Sequence, residues 1–480
     1  MKKKIRTIDL TNSNVVLGSG PNALATIHGL LESNKEISVI DAGQTEKDSM
    51  TEENDLNKKS SPKFYSNYNH YVYKGFNNYM DINLKNFNLT GSLAKGGLSN
   101  IWGGGIQPYI SNDLELFPYS FDEIRILYSK IFEIISGSND TSSLEDELVK
   151  SINHRKEASK TLFLKSLIAF NKKQSNHNSC DLLFTCKNGC ANCNKGIFNS
   201  KYEIESLIKK NKIHYFKNML IKNIYKCNNF YEVHCEDIKD GTKYIFKTLN
   251  IFSSLGTIST TKIVLEMENK NKELCLLSTP MSRFILFGRS TSEKQQASIM
   301  QGVTYKLFNN DYFTGNIFPI TSNLVESVIG SSKYRIFKYF MKYAHYFYVG
   351  NLFFTSDYSS NVISLIDKKI HIKSETSQKL KAEYLSTMTK IKKDLKKEGY
   401  FLLPLFNKLL KPGDDIHYGG TLPIKKNPGP YQCDSNGELY GNKNFFITDA
   451  SSMPFLPSKP HTFHSMCQSF MIAKNFAKKT

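Results

Sequence analysis

Three groups of residues in this 480-residue chain have types and spacings that could do chemistry. The first is a glycine turn, Gly18-Ser19-Gly20-Pro21-Asn22-Ala23, of the form G-x-G-x-x-A, followed downstream by Asp41. In such a turn Gly18 permits the tight bend, Gly20 lets backbone approach a pyrophosphate, and Ala23 keeps a helix close to its strand. Asp41 stands where a carboxylate accepts hydrogen bonds from ribose hydroxyls. An acid there argues against the 2′-phosphate of NADP and leaves FAD and NAD both open. The second group is C-terminal: Asp415-Ile416-His417-Tyr418-Gly419-Gly420-Thr421, then Asp449 and Ala450, then Pro457, Pro460 and His461. Imidazoles move protons near neutral pH, but each histidine by itself reads more readily as a satisfied core residue. The third is Cys180, Cys186, Cys190 and Cys193 in the run CDLLFTCKNGCANC. In a reducing compartment four such thiols suit an iron–sulfur cluster or zinc better than disulfides. A loop of free thiols is the plainer alternative.

The elements that must position these groups are legible in outline. Val15, Val16 and Leu17 form an apolar run of the kind found in a buried parallel strand. A helical pattern follows through Leu24, Ile27, Leu30 and Leu31, and a second strand, Ile37 to Ile40, ends at Asp41. The helix would offer its N–H groups and positive dipole end to phosphates. Residues 91–109 hold six glycines and the only tryptophan, with Leu93, Leu98, Ile101 and Trp102 spaced to anchor the segment. Ser120 and Glu123 predict a capping box for a helix within 118–136. Residues 213–252 alternate as a β-meander, closing on a strand and glycine turn at Ile251–Thr257, with a helical pattern from Thr261 to Glu266. Strands are expected at Asn361–Leu365 and Lys369–Lys373, and a charged helix at Thr376–Glu398. Phe445 to Thr448 reads as a strand with Asp449 at its carboxyl end. A helix over Thr462–Phe476 directs its positive end at whatever lies beside His461.

Composition sets the class. With 40% apolar and 22% charged residues the chain is globular, and its formal charge is +19. That charge suits an anionic substrate, an acidic membrane surface or nucleic acid. The lysines are scattered and no nucleic-acid-binding signature accompanies them, so a solvated basic surface is favoured and nucleic acid is not expected. Ser332 to Phe354 interleaves bases with aromatics as a peripheral membrane contact does; a core element is the preferred reading. No run approaches the ~18 apolar residues of a membrane span. Thr7 to Asn14 is polar where a signal peptide needs its apolar core, so a cytoplasmic protein with reduced cysteines is expected. Cys227, Cys235, Cys275, Cys433 and Cys467 read as small apolar fillers. Gln44 to Lys63 reads as a polar surface excursion.

Five segments together resemble the glucose–methanol–choline (GMC) oxidoreductase family, and more loosely pyranose oxidase. They are Gly18–Ala23 with Asp41, Gly96-Gly97-Leu98-Ser99-Asn100, Ser254-Leu255-Gly256, His417 with Gly420-Thr421, and Asp449-Ala450 through His461. The resemblance implies an α/β fold: a Rossmann-like FAD-binding domain built from discontinuous segments (1–125, 195–279 and 412–480). An α+β substrate domain with an antiparallel sheet (126–194 and 280–411) would cover it.

The resemblance also implies FAD as cofactor, with Gly96 to Asn100 beside the flavin and ribityl chain and Asp449 and Ala450 near the ribityl and pyrophosphate. Ile221 matches the residue whose backbone contacts adenine. His417 matches the active-site histidine, and His461 falls where the family has histidine or asparagine. The implied activity is oxidation of a hydroxyl group by hydride transfer to flavin N5, with His417 as base and His461 orienting the hydroxyl. A sugar, nucleotide-sugar or other alcohol is the expected substrate, anionic ones matching the basic charge; the electron acceptor stays open. Ser99 is followed by Asn100 and Ile101, where relatives that tether FAD carry histidine two residues past the serine, so non-covalent FAD is expected. The cysteine spacing resembles the iron–sulfur flavin subunits of sugar dehydrogenases, leaving an electron-passing dehydrogenase as one alternative. An inactive flavoprotein with a binding role is the other.

Overall fold

The computed structural model describes residues 5–45, 71–138, 140–146, 161–171, 197–269, 271–289, 303–308, 312–319, 343 and 345–479. Cys180, Cys186, Cys190 and Cys193, most of Gln44–Lys63, and most of the first half of Ser332–Phe354 lie outside those residues.

The β-branched run forms strand β1 (Ser13–Leu17), buried along its whole length. The glycine turn opens helix α1 (Pro21–Leu30), and β2 (Glu36–Ile40) pairs parallel with β1. Strands β3 (His214–Phe216), β4 (Asn250–Ser253) and β5 (Phe445–Ile447) complete a five-stranded, wholly parallel sheet ordered β5-β4-β1-β2-β3. The chain thus winds outward from β1 in both directions. In such a sheet a crevice opens at the carboxyl ends of the two strands where the order reverses, here β1 and β4. Gly18, at the end of β1, has φ +94°, and a Cβ on it would lie 2.7 Å from the Ser254 carbonyl oxygen that follows β4. Conformation and close approach both demand glycine there.

Helix α2 (Phe121–Ser136) begins at Ser120, whose hydroxyl accepts from the Glu123 N–H while Glu123 reaches back, as the sequence predicts. Helix α3 (Thr257–Glu268) starts four residues before the expected Thr261. Its opening run of threonine, isoleucine and serine has weak intrinsic helix preference, which hides the start. Helix α4 (Thr462–Ala477) is buried along most of its length and lies against α1. At Gly29 a Cβ would come within 2.7 Å of the Phe470 carbonyl oxygen and 2.8 Å of the Ala473 Cβ, so the missing side chain sets that approach.

The meander is present as Met219–Lys226, Tyr231–Asp237 and Lys243–Thr248, antiparallel in turn, with Arg6–Asp9 parallel along its outer edge. The ends of the expected meander, 214–216 and 250–253, instead leave it for the parallel sheet. A second, antiparallel sheet joins Leu162–Lys165, Val303–Phe308, Tyr312–Pro319, Phe347–Phe353, Met281–Phe287 and Phe401–Leu402, with Lys408–Leu409 also on Met281–Phe287. One of its faces packs Phe284, Leu286, Phe313, Leu352 and Phe354 against Leu380, Met388, Ile391 and Leu395 of the helix Gln378–Lys397. The described aromatic half of Ser332–Phe354 is therefore an interior strand. No helix among the described residues is long and apolar enough to cross a membrane. Cys235, Cys433 and Cys467 are buried as expected; Cys275 is exposed and Cys227 half-buried, so these two are not core fillers.

The loop that delivers the second histidine is tied down by a buried ion pair. Lys459 is fully buried, and its Nζ donates to Asp113 Oδ2 at 2.6 Å and to the Pro108 carbonyl at 3.1 Å. Asp113→Ala leaves a buried ammonium without a counter-charge. It should lower unfolding free energy by about 3–5 kcal/mol, read as a shift of the urea midpoint at unchanged slope.

Candidate active site

A cavity opens at the reversal point of the parallel sheet. Its wall includes Gly18 to Asn22, Asp41, Gly97 to Ser99, Ile221, Ser254 to Ser259, Asp449, Ala450, His461 and Thr462. Three helices, α1, α3 and α4, present their first turns to it. None of the three has a side-chain N-cap bond or an acidic residue in its first turn, in contrast to α2. Their N–H groups and dipole ends therefore converge on the cavity, with Asp449, among the described residues, the one carboxylate bonded at the start of any of them, an arrangement suited to a diphosphate. Gly20 and Gly256 line the same wall, and a Cβ on either would meet nothing within 4 Å. Backbone is bare where a bulky anion has to approach.

Around this cradle the sequence candidates divide. Asp41 lines the cavity, and its Oδ2 accepts from Ser19 Oγ (2.5 Å) and Tyr215 OH (2.7 Å). Burial pushes its carboxyl up, while those two donors pull it back toward the ionised form. Ser19 also accepts from the Gly96 N–H at 3.0 Å, which ties the glycine loop to Asp41. Gly97 and Ser99 line the cavity. Gly96 and Asn100 are absent from its wall and brace the loop from behind. Asn100 Nδ2 donates to the Lys95 and Gly97 carbonyls at 2.9 and 2.7 Å, and its Oδ1 accepts from Asn199 at 2.9 Å. Ile101 and Leu98 pack with Tyr71, Val72 and Ala94 as anchors, and Trp102 Nε1 donates to the Phe198 carbonyl at 2.8 Å.

Ala23 is fully buried in the core, and Ile221 lines the cavity with its carbonyl accepting from Tyr79 OH. Asp449 has both oxygens engaged. Oδ2 accepts from the Gly256 N–H (2.9 Å) and Thr260 Oγ1 (2.5 Å), and Oδ1 from the Ser451 N–H (2.9 Å). Its carboxylate thus fixes the start of α3 against the end of β5. Ser19, Tyr215 and Tyr79 were not identified from sequence; each works through a contact distant along the chain.

His417 and His461 meet. Their ring centroids are 5.2 Å apart and their planes nearly perpendicular, at 88°. His461 lines the cavity at the first residue before α4, and its Nδ1 is buried with no partner among the described residues. Burial pulls its pKa down to about 4, so the ring is neutral across the neutral range. His417 is held from behind. Its ring stacks on Phe353 at 5.3 Å, and its Nδ1 lies 2.7 Å from Thr279 Oγ1. Thr279 in turn donates to the buried Asp415, through N–H at 2.9 Å and through Oγ1 at 3.3 Å. When Asp415 is ionised it only accepts, so the single hydroxyl proton of Thr279 goes to Asp415 and its lone pair takes Nδ1–H of His417. Nε2 of His417 is then the basic nitrogen. His464 is structural, as its register on α4 suggests: Tyr119 and Tyr128 hydroxyls lie 3.0 and 2.7 Å from its two nitrogens, and Tyr109 stacks on it at 4.0 Å. Among the described residues no group of three or more His, Cys, Asp or Glu side chains could hold a metal ion.

No protein-family model matches the sequence, and no curated protein matches it. Among solved structures the chain is similar to pyridoxine 4-oxidase from Mesorbium loti, with a TM-score of 0.58 over 98% of this chain and 99% of that one, at 11% sequence identity. At that identity the likeness is one of fold, a mixed architecture with parallel and antiparallel sheets.

Two tests follow from this geometry. Gly20→Val should leave the thermal melt within a few degrees of the parent, yet weaken uptake of a dinucleotide probe such as FAD, followed by quenching of its fluorescence, at least tenfold. Burial raises the pKa of Asp415 to about 7. Above that pH the carboxylate commits the Thr279 proton and fixes the tautomer of His417; below it, protonated Asp415 no longer does so. For the flavin chemistry proposed below, the rate of substrate-dependent bleaching should therefore climb as pH rises through about 7, and Asp415→Asn should flatten that step.

Proposed function

We propose that this chain is an FAD-dependent oxidoreductase of the GMC type that oxidises a hydroxyl group on a sugar, nucleotide-sugar or other alcohol. The observation that carries the proposal is the pair of imidazoles 5.2 Å apart, one of them in the wall of the same cavity that Gly18 and Gly97 line. The fold likeness to an oxidase supports it.

The residues present fit the cofactor. The open first turns of α1, α3 and α4 would take the diphosphate, Asp41 a ribose, the Ile221 segment the adenine end, and Gly97 to Ser99 the ring side. Asn100 and Ile101 occupy the positions that a tethering histidine would need, so the group would be held without a covalent bond. Bound FAD supplies the acceptor for a hydride from the carbinol carbon. The protein handles the proton. Nε2 of His417, made basic by the Thr279 contact on the other nitrogen, takes the hydroxyl proton as the C–H bond weakens. His461, kept neutral by burial, offers its ring to orient the same hydroxyl. The dipole of α4 favours negative charge accumulating beside it.

The division into an FAD domain (1–125, 195–279, 412–480) and a substrate domain (126–194, 280–411) belongs to the same proposal. Every strand of the parallel sheet falls in the first set.

Anaerobic mixing of the purified protein with a panel of sugars, hydroxy acids and simple alcohols tests the proposal. A substrate bleaches the oxidised flavin band, and readmitted air distinguishes oxidase from dehydrogenase behaviour. His417→Ala should slow the bleaching by about a hundredfold or more with the substrate still bound. An unchanged rate would remove His417 as the base.

A further inference from the structure

The antiparallel sheet turns one face to the helix Gln378–Lys397 and the other toward His417. Residues opposite one another on antiparallel strands share a face. Met281 lies opposite Phe353, Arg283 opposite Asn351, and Ile285 opposite Val349. Asn316 lies opposite Asn351 on the next strand. The alternate residues Phe284, Leu286, Leu352 and Phe354 belong to the core under the helix. Because Phe353 stacks on His417, the row holding Arg283 and Asn351 is one pleat repeat, roughly 6–7 Å, from the row that touches the histidine. The strand itself starts just after Thr279, the residue that holds His417 Nδ1.

This polar row contains a cation with no direct ion pair among the described residues. Arg283 is half-buried, and its Nε donates to Asn351 Oδ1 at 3.2 Å. Neither of its terminal amino groups has a hydrogen bond among the described residues, and the guanidinium forms no ion pair there. The charge of Asp414 favours the guanidinium, but its carboxylate bonds Asn88 Nδ2 at 2.7 Å and the Lys411 N–H at 3.2 Å rather than Arg283 itself. Loss of water around Arg283 lowers its pKa, so the surroundings disfavour the bare charge. Across the strand edge, Lys408 lies opposite Arg283 and adds a second positive charge. A planar guanidinium held at Nε, with no hydrogen bond at either terminal amino group among the described residues, has the shape to take an oxyanion through two parallel bonds.

We infer that Arg283, positioned by Asn351, is a subsite for a carboxylate or phosphate carried by the alcohol, so that the substrate is an anionic hydroxy compound rather than a neutral sugar. This subsite presupposes that His417 and His461 are the reacting pair; it specifies what the substrate carries one pleat away from the hydroxyl they act on.

Calorimetric titration of the purified, flavin-loaded protein at fixed ionic strength tests the subsite with three probes: glycerate, glycerol 3-phosphate and glycerol. At least one of the two anions should bind tenfold or more tightly than glycerol, and which one does identifies the oxyanion. Arg283→Gln should abolish that preference, and Arg283→Lys should keep part of it. Equal affinity for all three probes in the parent overturns the subsite, as does an undiminished preference in Arg283→Gln. Circular dichroism melts check that the variants fold; should the glutamine variant fail, the parent comparison and the lysine variant decide. Protein that bleaches with an alcohol but shows no anion preference refutes the subsite alone. Protein that takes up no flavin refutes the redox proposal, and the same titration on the colourless protein still decides the subsite.

Discussion

The close approach of the ends of β1 and β4 governs the rest of the molecule. Gly18 has no room for a side chain because the Ser254 carbonyl occupies its place. That contact brings the turn after β1 against the turn after β4, and α1 and α3 leave from the two turns side by side. Asp449, at the end of neighbouring β5, then accepts from Gly256 and Thr260 and fixes the start of α3. Helix α4 joins by packing on α1 at Gly29. Three uncapped N-termini facing one cavity would be costly if each were left to satisfy itself in an apolar interior. Their convergence makes sense as a single anion-binding cradle.

The histidines come from different places and are held by different means. His461 precedes α4, and its loop is pinned by Lys459 on Asp113. His417 is held by Thr279 and Asp415 on one side and by Phe353 of the antiparallel sheet on the other. The antiparallel sheet therefore helps orient the proposed base through Phe353. Its helix-packed side is apolar, while the side toward His417 contains Arg283, Asn316 and Asn351.

Local signals were legible in the sequence. The glycine turn, the Ser120–Glu123 box and the helix after His461 each depend on residues within one or two turns of one another, and each stands where the sequence places it. Segments that the resemblance singles out border the cavity, but not every residue it names is in the wall: Gly96, Asn100 and His417 are not. Gly96 and Asn100 belong to the right loop and yet point their chemistry away from the cavity, because Asn100 has to satisfy buried carbonyls that the bend of the loop leaves open. The partners of His417 were invisible for a simpler reason. Thr279 and Asp415 flank different strands far apart in the chain, and no spacing pattern connects them. The strands 214–216 and 250–253 were absorbed into the meander because alternation reports a strand without saying which sheet it joins.

The claim beneath all of this is that the cradle holds FAD without a covalent bond. Heat denaturation of the purified protein, followed by chromatography of the supernatant, measures it directly. The account predicts FAD released in about one equivalent per chain, or one equivalent taken up by apoprotein and then released intact. A supernatant containing NAD in place of FAD, a flavin that stays with the precipitated polypeptide, or a folded protein that takes up no flavin would contradict it.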